Sequence, residues 1–378
     1  MTHGSLDIGA GLNTKLPWQV LARLLSSPSP DHQLWWNNLS PVIGSSLDES
    51  GYSIDAQYRT LLMIHHAIIP ALGPFPHRDR TNVSWVDCMA NSTGPLDISV
   101  NYQNDAKCTF RLTLEPVGPY AGTESDLVNE TAGKQLLQVL CQLQPGMDLA
   151  WLDHLDPMIV KNREARQYWK AISHLPCKSQ TVIGLDFHKD SSFTVKPYLS
   201  PLVKAVATGA DFFQSMFQYL ATVPNAKLNL ALLEQYMGSS KHSFQPEKTY
   251  LSFDCKSPSE SRVKIYTAMD MTSLEEVYDL WSLGGRLSGP DIEKGFEIVT
   301  KMWTGIYPKP LAGGERRTSL TVNFNWELSP KDGSVAPKAY FLVDRDLDAN
   351  VSDALVSLFT DLAWHSHVKT HLALDRET

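Results

Sequence analysis

Three short stretches of this sequence repeat one pattern. Lys196-Pro197-Tyr198, Lys264-Ile265-Tyr266 and Lys338-Ala339-Tyr340 each place a cation two residues before a phenol. Arg262 lies two residues before Lys264, and Arg111 lies two before Thr113. In an extended chain residues i and i+2 share a face, so each stretch presents its cation and its tyrosine to the same side. Should those faces converge, Arg111, Lys196, Arg262, Lys264 and Lys338 crowd together, which is costly unless something anionic sits between them. A diphosphate fits that need, because its oxygens accept charge-assisted hydrogen bonds.

The tyrosines add a second property. Their π faces stabilise a cation by about 0.5–2 kcal/mol per contact. An allylic diphosphate that ionises contains both partners, a departing anion and a carbocation, and phenolic walls would keep water from the carbocation. A single Lys-x-Tyr in a strand is most often an exposed lysine beside a half-buried tyrosine. Three in successive strand pairs form a far more specific signal. Asp97 is the acid on the polar face of LDISVNYQ (96–103). A carboxylate there can hold an indole N–H or a phenol O–H and help remove the proton released after ring attack. Its bland alternatives are a solvated strand aspartate and an ion-pair partner of Arg111.

The elements that must position these residues are legible as a repeat. Residues 1–80 look helical, with one segment led by Leu34, Trp35 and Trp36 and a second over 54–71, ending at Gly73-Pro74-Phe75-Pro76. Four strand pairs follow: 96–103 with 108–116, 181–188 with 193–199, 249–254 with 261–267, and 319–328 with 337–343. The spacing predicts helices over 133–144, 202–221, 226–237, 273–282 and 291–303, and a last one over 350–368. The pairs recur every 70–85 residues or so, the mark of a repeated supersecondary unit, two helices and two strands. Leu96, Ile98, Val100 and Tyr102 form one face of the first strand, and Asp97, Ser99, Asn101 and Gln103 the other. The fold class is therefore α+β, with apolar faces turned to the helices. Two arrangements fit the pattern equally: a closed antiparallel barrel with a polar lumen, and an open sheet with helices on one face and solvent on the other.

Composition narrows the function classes. The chain has 378 residues, 43% of them hydrophobic, and one large domain spanning 1–378 is the expected organisation. A net charge of −8 disfavours nucleic acid as a partner. No apolar run reaches the ~18–20 residues of a membrane span. The N-terminal MTHGSLDIGAGLNTKLPWQ lacks the features of a secretory signal, so a cytoplasmic protein is expected. The five cysteines are scattered without a CxxC pair and read as reduced thiols, and the five N-x-S/T sequons as chance matches. The acidic run 344–348 probes as a loop rather than a metal site. No metal and no cofactor are expected. His65-His66 sits in an apolar helix as a packed or exposed pair. Gly9-Ala10-Gly11 and Leu283-Gly284-Gly285-Arg286 lack the strand–turn–helix frame of a nucleotide loop.

Longer stretches resemble a known family. GYSIDAQYRTLLMIHHAIIPALGPFP, the first hairpin with its Glu115-Pro116, LSFDCKSPSESRVKIYT with WSLGGRL downstream, and PKAYF are similar to the fungal aromatic (dimethylallyltryptophan-synthase-type) prenyltransferases, from about Leu34 to Trp364. The resemblance implies repeated ααββ units around a central lumen (the PT barrel). It implies metal-independent transfer of dimethylallyl from its diphosphate to an indole, tryptophan or a tryptophan-containing cyclic dipeptide, in secondary metabolism, with a homodimer as one possible assembly. By this resemblance Arg111, Lys196, Arg262, Lys264 and Lys338 bind the diphosphate. Tyr198, Tyr266 and Tyr340 form the tyrosine shield, and the main chain at Cys88 and Met89 holds the acceptor's polar end.

Two departures accompany the likeness. Asp97 stands in Pro95-Leu96-Asp97-Ile98-Ser99 where members carry Glu, one methylene longer. Members also continue past residues 371–378 into one more hairpin, so a barrel lacking its last strand pair is expected. A phenolic acceptor, or a non-catalytic ligand-binding remnant, are the alternatives these departures raise.

Overall fold

The computed structural model describes residues 16–77, 82, 84–89, 94–104, 107–224, 226–307, 320–343 and 345–377. Residues 1–15, with Gly9-Ala10-Gly11, and Asp344 of the acidic run lie outside the described residues. Three helices open the chain: α1 (Pro17–Leu24), α2 (Pro30–Glu49) and α3 (Ile54–Met63). The hairpin β1 (Leu96–Gln103) and β2 (Lys107–Leu114) leads to α4 (Glu130–Leu143), α5 (Ala150–Leu155) and α6 (Asn162–Ile172). β3 (Thr181–Phe187) and β4 (Phe193–Leu199) lead to α7 (Leu202–Thr208), α8 (Phe212–Ala221) and α9 (Leu230–Ser239). β5 (Thr249–Phe253) and β6 (Val263–Met271) precede α10 (Leu274–Trp281) and α11 (Pro290–Ile306). β7 (Leu320–Leu328) and β8 (Val335–Phe341) precede α12 (Asp348–Asp361) and α13 (His365–Glu377).

The eight strands form one antiparallel sheet in sequence order, β1 to β8. The alternation read from the sequence sets its faces. Phe110, Leu112 and Leu114 of β2 are buried on the helical side, packed with Trp36, Leu61 and Ile64, and Cys108 is buried on the same side beside His367. Leu251, Ile265, Phe324 and Trp326 do the same for the second half, against Phe217, Leu233 and Leu280. The polar residues therefore share the opposite, concave face. The sheet curls into a half-barrel, and among the described residues β8 does not return to pair with β1. This is the expected barrel without its last strand pair, and of the two arrangements the pattern allowed, the curled sheet with a polar concave face is the one that forms. After β8 the described chain continues into α12 and α13.

Those last helices run from one edge of the sheet to the other. Ala354 of α12 sits against Gly305 of α11. Farther on, Phe359 and His367 pack on Tyr102 of β1 at 5.0 and 5.2 Å between ring centres. His367 also bonds the Gln103 carbonyl. Elsewhere local chemistry shortens the expected helices. The 202–221 segment breaks at Gly209, which adopts φ 69°, and Asp211 then caps α8 by accepting from the Gln214 amide at 2.7 Å. The 350–368 segment breaks at Ala363, with φ 58°. His65 is buried and bonds Ser27 at 3.2 Å, while His66 is exposed. Among the described residues no helix is long and apolar enough to cross a membrane, and no group of three His, Cys, Asp or Glu side chains is placed to hold a metal.

Candidate active site

The concave face gathers the cations that the sequence pattern picked out. Register explains how. Arg111 of β2 faces Asp186 of β3, and Lys264 of β6 lies between Ser252 of β5 and Glu327 of β7. The strand spacing of about 4.8 Å then brings long side chains from neighbouring strands into contact. Asp186 pairs with Arg111 at 3.1 Å and also with Lys196. Asp254 accepts from Lys264 Nζ at 3.1 Å through one oxygen and from Arg262 at 3.1 Å through the other. Glu327 accepts from Arg262 at 2.9 Å and from Lys338 at 2.9 Å. Lys264, Arg262 and Lys338 are therefore tied into one run by two shared carboxylates.

The expectation that only a bound anion could reconcile these cations is corrected. Asp186, Asp254 and Glu327 already lie among them, and their charges leave two of the five cationic charges uncompensated. The shared carboxylates fix the cations in place before any anion arrives, which is the preorganisation that an incoming anion needs. Electrostatics follow the burial. Burial lowers Lys196 to about 8, against the opposing pull of Asp186, with Lys264 and Arg111 adding to the drop. Burial likewise lowers Lys264, with Asp254 opposing it. Burial alone would raise Asp254, but Lys264, Arg262 and Lys196 outweigh it and hold the carboxyl below its ordinary range.

Two residues along each strand, the tyrosines follow. Tyr198 and Tyr266 lie 5.6 Å apart between ring centres, and Tyr266 and Tyr340 lie 6.2 Å apart. A fourth member joins them: Tyr250 stacks on Tyr266 at 4.9 Å with 11° between the planes. Its position on the polar face of β5, with Ser252 and Asp254, was the signal for it. Asn323 and Asn325 donate to the Tyr250 and Tyr340 hydroxyls at 3.0 and 2.9 Å and fix those rings. Gly184 lies beneath Tyr198: a Cβ there would come within 2.9 Å of the ring. The layer is enclosed at its centre and open at its rim, since Tyr266 is 7% exposed and Tyr340, on the edge strand, 42%.

Asp97 stands on the same face at the other edge, opposite Thr113, which is opposite Gly184, which is opposite Lys196. Three strand spacings put it about 14 Å from Lys196 along the sheet. Its carboxyl is open to solvent, yet the surrounding protein raises it above the usual range, with the Ile98 amide opposing. Arg111 pairs with Asp186, so the Asp97–Arg111 alternative is not what forms.

Cys88 lies toward the tyrosine end, within electrostatic reach of Tyr250, whose phenol is raised chiefly by burial, and the Met89 amide donates to the Asp87 carboxylate at 3.2 Å. Cys88 is exposed, yet the protein crowded around its sulfur, and then Glu115, push the thiol up. Glu115 extends the lumen-facing row of Arg111 and Thr113 by one step. It accepts from the Trp85 indole N–H at 2.6 Å and the Cys88 amide at 2.7 Å. Burial raises its carboxyl, and these donors oppose that rise.

Comparison with known proteins agrees with this geometry. The family model for tryptophan dimethylallyltransferase matches residues 31–373. The chain is 28% identical over 352 residues to the trans-prenyltransferase abpB of Aspergillus terreus, covering 93% of this chain and 91% of that one. It is 28% identical to the tryptophan dimethylallyltransferase of Arthroderma otae, covering 97% and 84%. The crystal structure of NotF in complex with brevianamide F and DMSPP superposes with a TM-score of 0.83 at 26% identity, covering 96% of this chain and 91% of that one. A 6-dimethylallyltryptophan synthase from Micromonospora olivasterospora, 15% identical with a TM-score of 0.63, shares the fold over 90% of this chain and 86% of its own.

Proposed function

The chain belongs to the tryptophan dimethylallyltransferase family and is a prenyltransferase, and from that premise we propose that it joins a dimethylallyl group from dimethylallyl diphosphate to an indole, without a bound metal ion. Arg111, Lys196, Arg262, Lys264 and Lys338 hold the diphosphate. The allylic C–O bond breaks and its electron pair leaves with the diphosphate, whose growing charge the cations stabilise. The carbocation forms against Tyr198, Tyr250, Tyr266 and Tyr340, whose π faces stabilise it. A ring carbon of the indole bonds to it, and the proton on that carbon passes to the Asp97 carboxylate, which restores aromaticity. Asp97 orients the acceptor N–H, and the main chain at Cys88 and Met89 holds its polar end.

The observation that carries this reading is the placement of a linked set of cations two residues from a continuous tyrosine layer on one concave face. The relatives support the acceptor class, since NotF was solved with brevianamide F and DMSPP. The free cysteines fit the expected cytoplasmic location.

Incubation with dimethylallyl diphosphate and either tryptophan or brevianamide F, read by mass spectrometry, tests it. A monoprenylated indole formed equally in EDTA is the expected result. Absence of product with both acceptors overturns the acceptor assignment, and a reaction abolished by EDTA overturns the metal-free step. Turnover unchanged in Asp97→Asn removes Asp97 from the acceptor site.

A further inference from the structure

Glu115 belongs neither to the linked cations nor to the tyrosine layer, yet it is only 1% exposed on the lumen-facing row. Its amide bonds the Pro95 carbonyl at 2.9 Å, so its backbone continues the β1–β2 ladder and cannot drift. Each carboxylate oxygen takes one donor from the segment 84–89, the Trp85 indole and the Cys88 amide. Both bonds are charge-assisted and shielded from water, the setting in which a hydrogen bond holds geometry best.

Packing around that segment is loose by comparison. Trp85 borders a small cavity of about 20 Å³ and, together with Glu115, a larger one of about 230 Å³. The larger lies outside the sheet, with Leu137, Leu152 and Val160 among its walls. Trp85 is buried against Val117 and Ala121, but the cavities beside it leave part of the ring without close neighbours, so packing does not set the segment's position alone. Other ties to the segment are the packing of Trp85 on Val117 and Ala121, the Ser84 hydroxyl donating to the Ala121 carbonyl at 3.0 Å and the Cys177 thiol donating to the Val86 carbonyl at 3.8 Å, none of which fixes the Cys88 amide.

We infer that Glu115 is a positioning residue for the acceptor: it clamps the main chain at Cys88 and Met89 to the rim of the sheet and so sets where the aromatic ring sits over the allylic carbon. This rests on the proposed acceptor end at Cys88 and Met89. Glu115 touches no reacting atom. It acts through the backbone, so its loss shifts the acceptor and leaves the diphosphate site in place.

The test is Glu115→Gln, in which the amide nitrogen must face one of the two donors, alongside Trp85→Phe, which removes one bond and keeps the other. In Glu115→Gln the acceptor KM is expected to rise about tenfold, the cost of losing one buried charge-assisted bond. The KM for dimethylallyl diphosphate should stay within about twofold of wild type, and the product should spread over more ring positions. Trp85→Phe is expected to fall between. Hydrogen exchange gives a second measurement without substrate: the Cys88 amide should lose protection in Glu115→Gln while β2 and β3 keep theirs. Retained protection overturns the clamp. Lost protection with an unchanged acceptor KM and product pattern, or both KM values rising together, overturns its role toward the acceptor. A wild-type chain that prenylates neither tryptophan nor brevianamide F counts against the proposed function, while the exchange result still decides the clamp.

Discussion

Lys264 donates to Asp254 at 3.1 Å with both side chains out of water, 5% and 2% exposed. Neither charge is tolerable there alone, and breaking such a pair by removing one partner costs about 3–5 kcal/mol. Asp254→Ala is therefore expected to destabilise the chain by about that much, read as a lower denaturant midpoint. Asp254→Asn, which keeps an acceptor, should cost less. The carboxyl is held below its ordinary range, so its contribution is present above the usual carboxylate pKa and fades as pH falls through the lower folded value. The wild type should thus lose stability on acidification below about pH 4, and the gap to Asp254→Asn should narrow there.

Lys196 gives the opposite limb. Burial lowers it to about 8 in the free protein. Below that pH the ammonium is present to meet the diphosphate, and above it the amine is neutral. kcat/KM for dimethylallyl diphosphate should fall as pH rises through about 8, since that ratio reports the free enzyme. The folding sign is worked out separately. A lysine whose folded pKa lies below its unfolded value binds fewer protons when folded, so this group's unfavourable contribution is relieved between about pH 8 and 10.4. Lys196→Arg stays charged and should carry the alkaline limb upward. An unmoved limb would assign it to another group.

Much of this site is written in period-two alternation. β1 over 96–103 and β4 over 193–199 follow directly from it, and so does the shared face of Lys196 with Tyr198 and of Arg262 with Lys264 and Tyr266. What alternation cannot carry is register. Asp186 meets Arg111 across one strand boundary and Lys196 across another, and Glu327 meets Lys338 across the β7–β8 hairpin. Each of those acids sits on the polar face in the sequence, but only the pairing of strands turns them into counter-ions. Tyr250 also follows a lysine, Lys248, by two residues, but Lys248 ends a tight turn before β5 and the tyrosine lies on the first strand of its hairpin, outside the Lys-x-Tyr pattern of the second strands, so it was missed. Glu115 was missed as a site residue because its partners, Trp85 and Cys88, lie about thirty residues upstream in a segment without periodicity. Helices α5 and α6 escaped for a related reason: α6, NREARQYWKAI, buries only Ala165 and Ile172, too sparse an apolar stripe to announce a helix.

Gly184 offers a test of the tyrosine layer that leaves every phenol in place. A Cβ at this position would lie 2.9 Å from the Tyr198 ring and 3.5 Å from its hydroxyl. Real contacts of that kind are not tolerated, so the ring must move. Its neighbours Tyr250 and Tyr266 are 6.0 and 5.6 Å away between centres and would have to shift with it. Gly184→Ala should reduce kcat by about tenfold through loss of roughly one cation–π contact. A larger share of dimethylallyl alcohol should appear where water reaches the carbocation. Unchanged kcat and unchanged alcohol would show that Tyr198 does not shelter the cation.

Tyr52 tests the join between the helical layer and the strands that carry Arg111 and Asp186. Its hydroxyl donates to the Phe187 carbonyl at 2.6 Å and accepts from the Phe110 amide at 2.9 Å. Phe110 and Phe187 are the last paired residues of β2 and β3, so the phenol stands in for a rung of the ladder. Lys189 lies over the same ring at 4.1 Å and adds a cation–π contact. Tyr52→Phe keeps the ring and that contact but strands a buried donor and a buried acceptor. The expected cost is about 1–3 kcal/mol, measured as a lower denaturant midpoint with an unchanged slope. A cost near zero would mean that Phe110 and Phe187 close onto each other once the hydroxyl is gone, and hydrogen exchange at the Phe110 amide would then show retained protection.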